Sequence, residues 1–202
     1  MGLLSRLGKQ AAKELDMAPE PRLARAREMG FDVDTPLYHK TNADFDSFKP
    51  YQHFGTVEQA NMRAVGGNAA VVPVYTKAKK FARKKDTGSW KEADFKRLER
   101  EGYDGVKYLN RYEGIPSEAF ERAAAKAGGY DRLDALSDAQ FKKLVPEAQE
   151  SVVIFDPKNI RGKFAKFDPS QEGSSKLLAA VPAAIGGGLL SRWAMQPEDY
   201  QV

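Results

Sequence analysis

The apolar positions of the chain change period along its length, and those changes mark out its elements. Leu3, Leu4, Leu7 and the stretch Ala11 to Leu15 recur at helical spacing beside Arg6, Lys9 and Lys13, the pattern of a short basic amphipathic helix. Pro19 and Pro21 open a second helix through Arg22 to Met29, which Gly30 stops. Pro36 to His39 reads as the first core strand and His53 to Gly55 as another. Thr56 and Gln59 have capping-box spacing, so a helix starts directly after that strand, passes through Asn61 and Met62 to about Val65 and ends at Gly66-Gly67. Ala70 to Lys77 is rich in β-branched and aromatic residues and predicts a strand. Its Pro73 removes one ladder donor, which argues for an edge or a bulge.

Ser89 and Glu92 predict a second capping box and a helix from Trp90 to Arg100 with Phe95 and Leu98 facing inward. Gly102 and Gly105 frame the next strand, Val106 to Leu109. Ser117 to Ala127 and Ser137 to Leu144 are helical segments separated by Gly128-Gly129-Tyr130, and they have the look of an insertion. Ser151 to Phe155 is the apolar run of a buried strand, and Ile160 to Phe167 alternates as its partner after the Asp156-Pro157 turn. From Asp168 the pattern loosens. Leu177 to Leu190 carries no charge, yet it is shorter than the roughly 20 residues a spanning helix needs. Pro182 and three glycines from Gly186 interrupt it, so it reads as a packing or membrane-associating tail.

Composition narrows the chemistry. With 202 residues, 42% hydrophobic and 30% charged, the chain fits one globular core plus appendages. It has no cysteine, which excludes disulfides, thiolate metal sites and a cysteine nucleophile, and two histidines, His39 and His53, argue against a multi-histidine metal centre; no metal site is expected. The net charge of +4 is concentrated in the amino-terminal segment and in the run Lys77 to Lys85. That run is either a solvated loop or a contact to a nucleic-acid backbone, and the basic first helix could dock on an anionic membrane surface. Met1 to Leu15 lacks an apolar core followed by a small-residue cleavage site, so synthesis as a cytosolic protein is expected.

Three pieces, in this order, carry a resemblance: Leu37-Tyr38-His39-Lys40-Thr41-Asn42, then His53-Phe54-Gly55-Thr56, then Gly102-Tyr103-Asp104-Gly105-Val106-Lys107-Tyr108. Together with Phe155-Asp156-Pro157, Ile160-Arg161 and Lys163-Phe164-Ala165 they resemble ADP-ribosyltransferase-like domains, especially the small ones embedded in polyvalent proteins of bacteriophages and mobile elements. The likeness covers about Met29 to Asp168. It implies an α+β fold with a bent, split β core, surrounding helices and a helical insert over about 115–149. Helices over 1–30 would precede this domain of 31–168, and an apolar, glycine-rich tail over 169–202 would follow it. It also implies NAD as the substrate, the cytoplasm of a bacterial host as the location, and packaging in a phage virion as the alternative.

By the same resemblance, His39 hydrogen-bonds the adenosine ribose of NAD while its neighbours Tyr38, Lys40 and Thr41 offer backbone groups to the nicotinamide amide. Lys40 replaces the usual glycine, so a side chain stands where backbone would approach the ring. Phe54, Gly55 and Thr56 wall the nicotinamide pocket. Met62 stands where polymerase-type relatives carry a tyrosine, leaving ring stacking to Phe54, Tyr38 or Tyr51. A carboxylate should stabilise the oxocarbenium-like transition state. Glu113, just after the third motif, and Glu150, just before the Ser151 strand, compete for that role, although alignment on Asp156 puts Ser151 at the second position. Arg111 and Ala148 occupy the places where arginine-directed members carry a glutamate or glutamine. The implied function is therefore mono-ADP-ribosyl transfer to a non-arginine acceptor on protein or nucleic acid. The alternative is an inactive protein of the same fold that serves inside a phage virion or in its assembly, among phage structural proteins.

Overall fold

The computed structural model describes residues 15–63 and 69–178. The expected amino-terminal helix, the Gly66-Gly67 pair and the apolar stretch after Leu178 lie outside them. The fold is α+β, organised by two small sheets. The first contains β1 (Asp32–Thr41), β3 (Ala70–Thr76) and β7 (Ile160–Gly162) in the order β1-β3-β7, all antiparallel. The second contains β2 (Gln52–Phe54), β4 (Phe81–Arg83), β5 (Gly105–Leu109) and β6 (Glu150–Ile154) in the order β2-β6-β5-β4. Its β4 and β5 run parallel, and α3 (Glu92–Arg100), laying Phe95 and Leu98 on the sheet, lies in the crossover that a parallel pair requires.

The sheets meet at a reciprocal pair of backbone hydrogen bonds between Tyr38 and Gly55, each 3.0 Å. Beside that junction both sheets bury side chains in one cluster: Val72 and Val74 from the first, Phe54, Val152 and Ile154 from the second, with Phe48 and Leu177 closing it. Burying each of these contributes roughly 1.5–3 kcal/mol, so the junction is among the firmest parts of the molecule. α1 (Pro19–Glu28) packs on the outer side of the first sheet, where Ala26 meets Phe31, Val33, Tyr75 and Phe167. The stretch 169–178 is also held to the core. Arg161 donates to the carbonyls of Gln171 and Glu172, and Leu177 N donates to Asp46 O while its carbonyl accepts from Gly162 N.

Several sequence expectations change here. Pro73 lies in the central strand of its sheet, not at an edge. Its carbonyl accepts from Lys163 N at 2.9 Å, so its missing N–H faces the carbonyl of Lys163, and the guanidinium of Arg22 donates to that carbonyl instead. The strand from Ile160 pairs with β3 and not with the Ser151 strand, because the turn of 3-10 helix at Pro157–Asn159 carries the chain from one sheet to the other. Ser89 does not cap α3. Its carbonyl is taken by the Thr87 hydroxyl, Trp90 is drawn onto the His53 ring, and the helix starts only at Glu92.

The insert comprises α4 (Ser117–Ala127), α5 (Tyr130–Ala135) and α6 (Asp138–Leu144); α5 was not expected. Leu133 and Phe141 close its private core with Ile115, Ala119, Ala123 and Val145. The chain leaves and rejoins the second sheet at one point, where Asn110 N donates to Gln149 O at 2.9 Å. The fully buried Arg111 anchors the insert there through the carbonyls of Asp134 and Leu136, the carboxylate of Asp138 and the face of Phe141.

Candidate functional site

At the junction of the sheets lies a cleft of about 280 Å³, lined among others by Tyr38, His39 and Lys40 from β1, Phe54 and Gly55 at the end of β2, and Glu113 beyond β5. α2 (Val57–Arg63) supplies Gln59, Ala60 and Arg63, and β6 supplies Ser151. The cleft exists because β2 ends at Gly55 and turns at once into α2. The expected capping box is formed: Thr56 N donates to Gln59 Oε1 at 2.8 Å, and Gln59 N to the Thr56 hydroxyl at 3.4 Å. A Cβ at Gly55 would stand 2.1 Å from Gln59 Oε1, so any other residue there must displace the side chain that forms this cap.

Glu113 is held from several sides. The side-chain oxygen of Asn110 accepts from the backbone N–H of Tyr112 and Glu113, a turn that Asn is suited to form. Its amide donates to Glu113 Oε2 at 3.0 Å and to the Ser151 hydroxyl at 3.1 Å, and Ser151 in turn donates to Gln59 Oε1 at 3.0 Å. The other carboxylate oxygen pairs with Arg63. Gly114 follows at φ +73°, with its missing Cβ 2.8 Å from Gln59 Cγ, so only glycine lets this turn sit against α2. A continuous polar network thus ties the end of β5 to β6 and α2, and it presents one carboxylate to the cleft.

His39 faces the same cleft. Its Nδ1 lies 2.8 Å from the carbonyl of His53 and must donate to it, which makes Nε2 the acceptor of the neutral ring. Burial among Phe45, Phe48 and Phe54 pushes its pKa below the usual histidine value, against the upward pull of the His53 carbonyl. A neutral imidazole with a fixed tautomer suits a hydroxyl donor such as a ribose hydroxyl. His53 is lowered as well, first by burial and then by Arg63; its ring stacks against Trp90, and its Nδ1 lies 3.2 Å from the Tyr108 hydroxyl. Burial pushes Tyr108 up to about 12, so its hydroxyl keeps its proton.

Of the residues singled out from the sequence, Tyr38, His39, Lys40, Phe54, Gly55 and Glu113 come together. Thr41, Thr56 and Glu150 do not line the cleft. The Thr41 hydroxyl is used in a local turn with Ala43, and that of Thr56 caps α2. Glu150 is a correction with a clear cause. Alternation along β6 sends Ser151 into the cleft and Glu150 to the other face, where it pairs with Arg83 and, at 3.1 Å, with Lys107. Against the upward pull of partial burial, those two cations hold its carboxyl below the usual range. Tyr51 stacks on Phe95 outside the cleft, and Phe54 is only 2% exposed, so Tyr38 is the expected stacking residue left at the wall. Arg63 is the participant the sequence reading missed. It stands one helical turn after Gln59 on the same face of α2, and that spacing was the available signal.

Among the described residues no group of three histidine, cysteine, aspartate or glutamate side chains could hold a metal ion. Nor is any helix among them long and apolar enough to cross a membrane. Comparison of the chain with protein families, with curated proteins and with solved structures returns no match.

Proposed function

We propose that this chain is an NAD-binding domain of the ADP-ribosyltransferase type that transfers ADP-ribose to a non-arginine acceptor, with Glu113 as its catalytic carboxylate. The observation that carries the reading is the meeting of His39 and Glu113, far apart in sequence, in one cleft at the junction of a split β core. A cleft near the small end of the roughly 300–1,000 Å³ range of ligand sites suits the nicotinamide and its ribose. His39 Nε2 accepts from a ribose hydroxyl, Tyr38 flanks the ring, and the carboxylate of Glu113 stabilises the positive charge that develops as the bond between the ribose C1′ and nicotinamide breaks. Nicotinamide leaves with the bonding electron pair. The acceptor's lone pair then forms the new bond to C1′, and the acceptor proton passes to solvent or to Glu113.

Arg63 and Lys40 favour a second reading on one point. Arg63 already occupies one oxygen of Glu113, and Lys40 brings a cation to the wall where the cationic ring would lie. A protein that binds NAD without turnover, as a virion or assembly component would, fits that feature. Titration calorimetry with NAD, followed by assay of nicotinamide release from labelled NAD, tests both readings. Binding with release supports the transferase; binding with NAD left intact supports the silent descendant; no binding removes both.

A further inference from the structure

On the far side of Glu113 from His39 lies a second cleft, of about 340 Å³, and nothing in the reading above uses it. His53, Arg63, Tyr108 and Glu113 line both clefts, so the two adjoin along these side chains. The remaining lining of the second cleft contains Trp90 and Tyr112 with Asp86, Gly88, Ser89 and Asn110, and no aliphatic side chain. We propose that this second cleft, walled by Trp90 and Tyr112 and sharing Glu113 with the NAD cleft, receives an unpaired base of a nucleic acid as the ADP-ribose acceptor. The proposal rests on the transferase reading of the first cleft.

Aromatic side chains in a cleft whose lining has no aliphatic group can recognise flat rings, and base stacking on aromatic side chains is the general basis of single-strand binding. Trp90 is stacked on the His53 ring and meets Tyr108 at 4.7 Å and Phe95 at 5.8 Å between centroids in T-shaped contacts, so the indole is held in a fixed orientation. Tyr112 is half exposed and lies against the backbone of Gly88, with its hydroxyl 3.3 Å from Asp134. Asp86 is buried and its oxygens accept from Gly88 N and Arg111 N, while Arg63 stands in the shared lining paired with Glu113.

The backbone of such a ligand has a matching surface. The loop 84–90 that forms this wall continues directly from β4, the edge strand within the basic run. Lys77 and Arg83 of that run are neutralised by Glu172 and Glu150. The ammonium groups of Lys80 and Lys85 instead rest on the Tyr103 ring and the Asp134 carbonyl, which leaves their charge available to phosphates. Lys84 and Trp90 line one further small cleft together. A strand tracking these cations would bring one base to the mouth of the second cleft. There a base nitrogen attacks C1′ as nicotinamide leaves with its electron pair, and the proton on that nitrogen goes to Glu113.

The test uses the full chain and fluorescence anisotropy with a labelled single-stranded DNA of mixed sequence, the same sequence as RNA, and the DNA duplex. Both single strands should bind more tightly than the duplex. Tyr112→Ala should weaken single-strand binding by roughly five- to a hundredfold, the span for loss of one stacking ring, and Tyr112→Phe should restore it. Transfer of label from NAD to the strand should fall with the same variant. Equal binding of single strand and duplex, or strand binding that ignores Tyr112, would overturn the proposal. So would Tyr112-dependent strand binding with label transferred to protein alone. NAD binding by the wild type, measured separately, keeps the two failures apart: bound NAD with no strand affinity refutes the acceptor cleft only, whereas strand affinity with no NAD binding refutes the reading of the first cleft.

Discussion

Glu113→Gln separates the electrostatic role of this carboxylate from its structural one. The amide keeps the shape of the side chain, and its oxygen can still accept from Asn110, now at 3.0 Å. What is lost is the charge facing Arg63, whose side chain is 56% exposed against 22% for Glu113. Such a partly solvated pair contributes about 0.2–1 kcal/mol to stability. For a chain of this size the melting temperature should therefore fall by no more than about 2–4 °C. The effect on turnover is expected to be far larger, because removing a preorganised group that stabilises transition-state charge costs roughly a hundred- to a thousandfold in rate. On the proposed mechanism NAD affinity should change much less than turnover, since the stabilisation by the carboxylate grows as positive charge moves from the nicotinamide ring to the ribose. Glu150→Gln is the matched control: it breaks contacts to Arg83 and Lys107 on the opposite face and should leave turnover within about twofold, as surface ion pairs are worth little. Nicotinamide release, calorimetric NAD affinity and a melting curve on both variants decide the matter. Loss of turnover in the Glu150 variant with activity retained in the Glu113 variant would refute the assignment and move the chemistry to the outer face.

Three further outcomes follow from the same geometry. His39→Ala should weaken NAD binding by about 1–3 kcal/mol in calorimetry while a cooperative melt persists, because the hydroxyl loses its acceptor. Stability should decline as pH falls below the ordinary histidine value of 6.5, since His39 and His53 have lowered values in the fold and the unfolded chain takes up protons first; the decline ends below the folded values, and a melting temperature flat from pH 7.5 to 5 would contradict it. Gly55→Ala should destabilise by about 1–3 kcal/mol in urea unfolding and abolish NAD binding together, because its Cβ drives Gln59 Oε1 off both Thr56 N and Ser151.

Which parts of this arrangement were legible in the sequence follows from how local each signal is. The Thr56–Gln59 cap, the helix carrying Phe95 and Leu98, and the apolar strand at Ser151 all depend on residues within a few positions of one another; the cap formed as expected, the strand spans Glu150–Ile154, and the helix starts at Glu92, two residues later than the spacing predicted. Ser89 failed as a cap because a distant residue, His53, takes Trp90. Pro73 was assigned to an edge or a bulge by a sound local rule, which its setting in the central strand overrides: the carbonyl it cannot serve accepts from Arg22, remote in sequence. The short helix Tyr130–Ala135 follows a Gly128-Gly129 break and buries a single leucine, so it leaves almost no periodic trace.

The choice between Glu113 and Glu150 shows the same boundary at the site itself. Both glutamates adjoin an apolar strand, and nothing in the sequence says which face of β6 is turned toward the cleft. Once β2 pairs with β6 and α2 folds back from Gly55, Ser151 must point to Gln59, and strand alternation leaves Glu150 no route to the same side. Glu113 depends on no such parity. It is aimed by a turn in which Asn110 binds two backbone N–H groups, and Asn110 is itself fixed by Ser151. The strand position that excludes one glutamate therefore orients the other through Asn110. Ser151→Ala should then disturb Glu113 while leaving the ion pairs of Glu150 intact. An unchanged Glu113-dependent rate in that variant would show that the turn at Asn110 positions the carboxylate without help from β6.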